Sequence, residues 1–324
     1  MTPTRPLLPL ATIAASAAAV AVVAAPASAL AAKPSVSTSA PTRVESASAR
    51  LNAKVDPNGA TTTYNFQYGP TRKLGTSTPV APAGSGTRAI TARADIAGLK
   101  ANTTYYYRVI ASNASGVVSG GTRSFRTKKV PLSLSLTATP NPVTIGAPTT
   151  LTGQLAGTGG GDRRIQLQIN AFPYTSGFAN AGNSVVTKPD GSFSIPVLGL
   201  TSNAQFRVVA TEPKRLVSAP IIVGVSPVVR TAVSTTRPRR GSRVRFAGTV
   251  SPSWVPAQMA VQKRNSEGRW VTVGGGITRT LREDASRYAV RVTVPRGGTY
   301  RVFVGLADSR YAPAVGPEIR LHTR

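Results

Sequence analysis

Along most of the chain, apolar and polar side chains alternate one by one. Ala49, Leu51, Ala53 and Val55 are separated by polar neighbours, as are Tyr64, Phe66 and Tyr68, and again Tyr105, Tyr107, Val109 and Ala111. A side-chain period of two sends one face of an extended strand into a core and the other into water. The runs end in turn chemistry, Asp56-Pro57-Asn58-Gly59 after the first and Asn113-Ala114-Ser115-Gly116 after the third. Such residues tolerate or pre-set the dihedrals of a tight reversal. From about Lys33 onward no apolar stripe of period 3.6 is sustained. The pattern predicts an all-β chain of antiparallel sandwiches after a leader segment.

Beyond residue 130 the pattern repeats. Gly146, Leu151, Gly153 and Leu155 recur as Gly241, Phe246, Gly248 and Val250, each 95 residues on. Phe193, Ile195 and Val197 recur at the same offset as Tyr288, Val290 and Val292, and Phe206-Arg207-Val208 recurs 94 residues on as Tyr300-Arg301-Val302. That spacing is the size of one sandwich, not of a solenoid unit. The expected division is a leader at 1–31 and three sandwich domains at 34–129, 130–225 and 226–324. The linkers, near Lys128-Lys129-Val130-Pro131 and Val225-Ser226-Pro227, are short enough for either a rigid or a hinged array.

The leader has a cationic start at Arg5, an apolar stretch rich in Ala, Val and Leu, and the small-residue sites Ala27-Ser28-Ala29 and Ala29-Leu30-Ala31. Those features describe a cleavable secretory signal. No second apolar segment of that length follows, and the C-terminal Ile319-Arg320-Leu321-His322-Thr323-Arg324 carries no hydrophobic tail. The expectation is an exported chain, extracellular or associated with the cell envelope, with no transmembrane anchor after cleavage.

The segment Leu99-Lys100-Ala101-Asn102-Thr103-Thr104-Tyr105-Tyr106-Tyr107-Arg108-Val109 resembles the Leu-x-Pro-x-Thr-x-Tyr-x-x-Arg-Val pattern of fibronectin type III domains, in the form found in secreted bacterial proteins. Ala101 stands at the proline position, and Val55 takes the place of a core tryptophan common in animal members. The resemblance implies that Tyr105 is the tyrosine-corner residue, its ring in the core and its hydroxyl bonded to upstream backbone. The two later domains resemble bacterial immunoglobulin-like repeats through Gly-x4-Leu/Phe-x-Gly, the turn Asp190-Gly191-Ser192-Phe193 and the aromatic-Arg-Val strand. In that comparison Trp270 falls where such repeats carry a core aromatic. Neither resemblance specifies a ligand.

Composition excludes several chemistries. There is no cysteine and a single histidine, His322, two residues from the end. Thiolate metal sites, disulfides, cysteine nucleophiles and a histidine-based triad therefore have no residues to use. Glu283 and Asp284 are adjacent, so they point to opposite faces of a strand or balance Arg282 and Arg287 from a loop. Gly157-Thr158-Gly159-Gly160-Gly161 lacks the Lys-Ser/Thr of a phosphate loop and reads as a hairpin connection. No catalytic, metal or cofactor site is expected, and an accessory glycan-active enzyme is the weakest of three readings.

Charge is the remaining functional signal. Lys and Arg number 39 against 11 Asp and Glu, a formal charge of +28. Residues 226–324 hold 18 of those cations and five acids, the 130–225 region only six and three. The densest run is Arg237-Pro238-Arg239-Arg240-Gly241-Ser242-Arg243-Val244-Arg245. Alternation places Arg243 and Arg245 on one exposed strand face, with Arg237, Arg239 and Arg240 before it. Such a patch attracts polyanions: an anionic cell-wall polymer, a polysaccharide or another protein. No recognition helix accompanies the charge, so sequence-specific nucleic-acid binding is not expected. Loop aromatics Trp254, Tyr174 and Phe178 would form a sugar-stacking platform or cap the sandwich ends. The leading reading is a non-enzymatic structural or adhesion module, with polymer binding by the basic C-terminal domain as the alternative.

Overall fold

The computed structural model describes residues 1–2, 32–212, 214–305 and 310–324. The expected leader at 1–31 thus falls almost wholly outside the described residues. Among them no helix is long and apolar enough to cross a membrane. The chain is all-β, and its long strands pair antiparallel. It divides into two compact units, 1–99 with 103–126, and 100–102 with 127–324.

In the first unit Ser35–Thr42, Ser48–Asp56 and Ile90–Ala97 form one sheet. Thr62–Gly69 and Thr104–Asn113 form the centre of the other, flanked by short strands. Leu51, Val55, Phe66, Tyr107 and Val109 are fully buried between them, so the alternating apolar positions do face inward. Tyr105 is buried with its ring stacked on Phe125 at 5.9 Å. The Tyr107 hydroxyl donates to the Ser39 carbonyl at 2.5 Å, a link from one sheet to the other. The Asp56-Pro57-Asn58-Gly59 turn is closed by the Asp56 carboxylate, which accepts from the Asn58 amide at 3.0 Å.

The second unit has two hydrophobic cores, one drawn from residues within 132–225 and one from within 229–321. In the first of these repeats Ser133–Thr139, Thr149–Ala156 and Ser192–Val197 form a sheet, and Arg164–Ala171 and Ala204–Ala210 lead the other. In the C-terminal repeat we number the strands β1 (Val228–Val233), β2 (Ser242–Ser251), β3 (Gln258–Arg264), β4 (Trp270–Ile277), β5 (Arg279–Arg282), β6 (Ala285–Val294) and β7 (Gly298–Val304). One sheet runs β1-β2-β6-β5, and the other runs β4-β3-β7 with two short closing strands.

The repeated glycines explain why the pattern recurs. Gly153 pairs across its sheet with Phe193, and Gly248 with Tyr288. A Cβ at Gly153 would overlap the Phe193 ring and the Ser135 carbonyl; one at Gly248 would overlap the Tyr288 hydroxyl and the Arg230 carbonyl. The aromatic side chain lies over the bare glycine. In the C-terminal repeat the Tyr288 hydroxyl then donates to the Arg230 carbonyl at 2.9 Å and meets the Thr231 hydroxyl at 2.6 Å. Three strands are pinned by one residue pair.

The outer face of the other sheet carries a second shared device. A glutamine on one strand accepts from the arginine directly opposite: Gln168 from Arg207 at 2.8 Å and Gln262 from Arg301 at 2.9 Å. Phe178 lies over Arg207 and Trp270 over Arg301, each near 4 Å from guanidinium carbon to ring centre. Trp270 is therefore a half-buried cover on an outer face and not the core residue expected of it. Its strand, β4, carries a bulge between the pairs Thr272 with Gln262 and Gly274 with Val261, so the alternation shifts partway along and does not by itself say which side Trp270 faces.

The two repeats are joined by more than the chain. Val225–Ser226, which pairs in parallel with Val143–Thr144 and closes the 130–225 repeat, also bonds to the next. The Asn203 amide donates to the Arg310 carbonyl, and that of Ala312 to the Val225 carbonyl, both at 2.8 Å. The Asn203 side-chain oxygen accepts from the Val225 amide at 2.7 Å.

Two outcomes follow from this packing. Gly248→Ala lowers the stability of the C-terminal repeat by about 2–3 kcal/mol, the cost of overfilling a packed site, whereas Gly275→Ala in the same repeat, whose added Cβ meets only the Met259 carbonyl at an ordinary 3.4 Å, is close to neutral. Urea unfolding followed by tryptophan fluorescence reads this selectively, since both tryptophans, Trp254 and Trp270, lie in that repeat. Burial pushes the Tyr107 and Tyr288 phenols up to about 12. Unfolded, they ionise near 10, so the stability they contribute is intact below pH 10 and is lost as pH climbs from 10 to 12. Urea midpoints across that range should fall more shallowly for Tyr288→Phe than for the parent chain.

Candidate functional site

The alternation that buries Val244, Phe246 and Val250 of β2 leaves Arg243 and Arg245 exposed on its other face. Strand pairing then assembles what the local sequence does not show. Arg291 of β6 lies directly opposite Arg245. A second row crosses all four strands as Arg230, Thr249, Arg287 and Arg279. All six arginines are exposed, and Ala247 and Ala289 are paired between the two rows.

Arg245, Arg279, Arg287 and Arg291 border a groove of about 740 Å3. Its floor is Ala247, Gly248 and Ala289, and Gly275, Gly276 and Ile277 of β4 line it as well. No Asp or Glu is among the lining residues, and the four guanidinium groups pair with no other described residue. Like charges set opposite each other in a sheet, about 5 Å apart at Cβ, destabilise it. The repulsion is about 1 kcal/mol per pair in a water-like dielectric and less with added salt. The fold tolerates that cost at Arg245 and Arg291.

The 130–225 repeat carries no arginine at the matching positions of the same face. At the positions 95 residues before Arg230, Arg245, Arg287 and Arg291 stand Ser135, Thr150, Ser192 and Pro196. Those residues occupy the same strands of the same sheet, whose paired neighbours Thr137, Thr152 and Ser194 are also uncharged. In the first unit the corresponding sheet also carries cations, Arg43, Arg50, Lys54 and Arg93 along one groove, but there Arg50 is held by Asp95 in a 2.7 Å ion pair. The mutual hydrogen bonds hold the Asp95 carboxyl below its ordinary range and the Arg50 guanidinium above its own.

Of the five arginines expected to act together, Arg245 lines the groove and Arg243 follows it along the same strand face. Arg237, Arg239 and Arg240 are exposed in the loop before β2, where the Arg240 side chain reaches the Pro295 carbonyl at 3.5 Å; none of the three lines the groove. Arg230, Arg279, Arg287 and Arg291 were not grouped with them by spacing. Aligning the two repeats and comparing their outward positions exposes three of the four.

Of the two alternatives for the loop aromatics, a stacking platform does not assemble. Trp254 is 5% exposed, in the core beside Tyr311. Phe178 covers Arg207, and Tyr174 meets Phe172 edge to face at 5.6 Å. Glu283 and Asp284 sit exposed in the turn between β5 and β6, with Asp284 2.5 Å from Arg282. Among the described residues no three His, Asp or Glu side chains gather into a group that could hold a metal ion.

No family model matches the chain, and no curated protein matches it. Solved structures of tandem-domain proteins do. The FN1–FN3 domains of chicken CNTN1 align over 90% of this chain and 98% of theirs, at 12% identity and a TM-score of 0.30. A run of titin domains aligns over 90% and 99%, at 17% identity and a TM-score of 0.37. A tetra-tandem repeat from the extending region of a large adhesion protein aligns over 90% and 74%, at 12% identity and a TM-score of 0.30. The fold assignment rests on the strand pairing above.

Proposed function

We propose that this chain is a non-enzymatic structural or adhesion module, exported by its leader and built of three sandwich domains at 34–129, 130–225 and 226–324. It works at the cell envelope or in the extracellular space, and its last domain holds a polyanionic partner on the β1-β2-β6-β5 face. The observation that carries the reading is the contrast between the repeats. Inward positions keep their apolar character because packing requires it, while the same outward positions change from Ser, Thr and Pro to Arg in one copy only. A solubility role would place charge on both copies. Arginine's flat fork of donors suits carboxylate, sulfate or phosphate groups, and adjacent unpaired cations raise the local anion concentration.

The test is a charge-matched comparison on immobilised polyanions: a sulfated polysaccharide, polyglutamate and polyphosphate. Replacing Arg245, Arg287 and Arg291 together by Gln should lower the eluting salt concentration and flatten the log-affinity against log-salt slope by about one per arginine. Replacing the exposed Lys73, Arg88 and Lys129 by Gln removes the same charge elsewhere and should leave both nearly unchanged. Equal losses in the two variants would reduce the arginine face to net charge alone.

A further inference from the structure

The groove has a feature that charge does not explain. β5 pairs with β6 only as far as Arg279 opposite Arg287. From Tyr288 to Val294, β6 has β2 on one side and no strand paired on the other among the described residues. Along an uncovered edge every second residue turns its N–H and C=O away from the sheet, and such edges template the addition of another strand. Three arginines, Arg279, Arg287 and Arg291, stand at or beside this edge, and Arg245 lies across β6 from it. Ile277, 54% exposed, adds an apolar contact on the β4 side of the same groove.

The edge is open because β4 approaches without pairing. Gly274 and Gly276 pass so close to β6 that a Cβ on either would collide with Val292 or Val290. β4 thus packs on the inward side chains of β6 while leaving its edge backbone unbonded to any strand.

We infer that the partner on this face is a polypeptide: an extended, acidic segment added as a strand along the Tyr288–Val294 edge of β6. This rests on the polyanion reading above and names its partner class. Alternation in the added strand would set carboxylates beside Arg287 and Arg291, where opposite-charge cross-strand pairs stabilise, and aliphatic side chains toward Ile277. Backbone bonds supply affinity, and alternate side chains supply selection. Charge complementarity argues for an acidic occupant and against a second copy of this chain, which carries +28. A saccharide could use the arginines but not the edge, and the groove presents no exposed aromatic ring for sugar stacking.

Binding of the full chain to three probes by titration calorimetry at about 50 and about 200 mM salt tests this. The first is an eight-residue peptide alternating Glu and Val. The second is the same peptide N-methylated at alternate backbone nitrogens, made in both registers, so that charge is kept and edge pairing is blocked. The third is an oligogalacturonate of equal charge. The plain peptide should bind about tenfold or more tightly than either N-methylated form and than the oligogalacturonate. Equal binding of plain and methylated peptides overturns strand addition and leaves the polyanion reading standing. Preference for the oligogalacturonate over the plain peptide makes the partner a saccharide and overturns the inference. Failure of all three probes at low salt overturns the inference and confines the polyanion reading to sulfate- and phosphate-bearing polymers.

Discussion

The cationic face depends on a glycine. Gly248 has no side chain, so Tyr288 from the neighbouring strand can lie across it and reach the backbone of a third. That contact holds β1, β2 and β6 in a single register. Because strand side chains alternate strictly, a slip of one residue would turn Arg243 and Arg245 into the core and Phe246 out to water. Placing even one guanidinium in an apolar interior without a partner costs far more than any of these contacts returns. The register that buries the aromatics is thus the same register that gathers the arginines, and the face needs no interaction of its own to hold it together.

The two repeats of the second unit separate what the fold requires from what it permits. Gly153 with Phe193 and Gly248 with Tyr288 solve one packing problem twice, and Gln168 with Arg207 and Gln262 with Arg301 solve another twice. These are constraints, and the copies agree on them. Outward positions on the sheet that holds the glycine–aromatic pair are free of packing, and there the copies diverge. A row of hydroxyl-bearing residues costs nothing electrostatically, whereas arginines facing each other do. Divergence toward the more costly arrangement is what gives the face its meaning.

Much of the fold was legible in the alternation itself. The positions expected inward, from Leu51 and Val55 to Phe246 and Val250, are buried, because a strand one face of which meets a core must repeat every two residues. The turn at Asp56–Gly59 was equally local, set by residues that bond their own backbone. The candidate site was only partly legible. Arg243 and Arg245 share a strand, so their common face could be read directly; Arg291 becomes their neighbour through a pairing more than forty residues away in sequence. Trp270 was misread for a related reason. Its strand shifts its alternation at a bulge, and the guanidinium that covers one side of its ring, Arg301, arrives from a distant strand. For Trp254 the local sequence leaves open a ligand-stacking ring or a cap on the sandwich end, and the loop folds it inward against Tyr311.

The seam at Asn203 and Val225 changes what kind of object the repeat pair is. Two beads on a string respond to tension by straightening the string. Here the last strand of one repeat is bonded both to its own Asn203 and to Ala312 of the next, and Asn203 is bonded to Arg310. The segment between the two cores has no slack to give up. The pair is therefore built as one linked body, with the arginine face carried on the same piece as the 130–225 repeat.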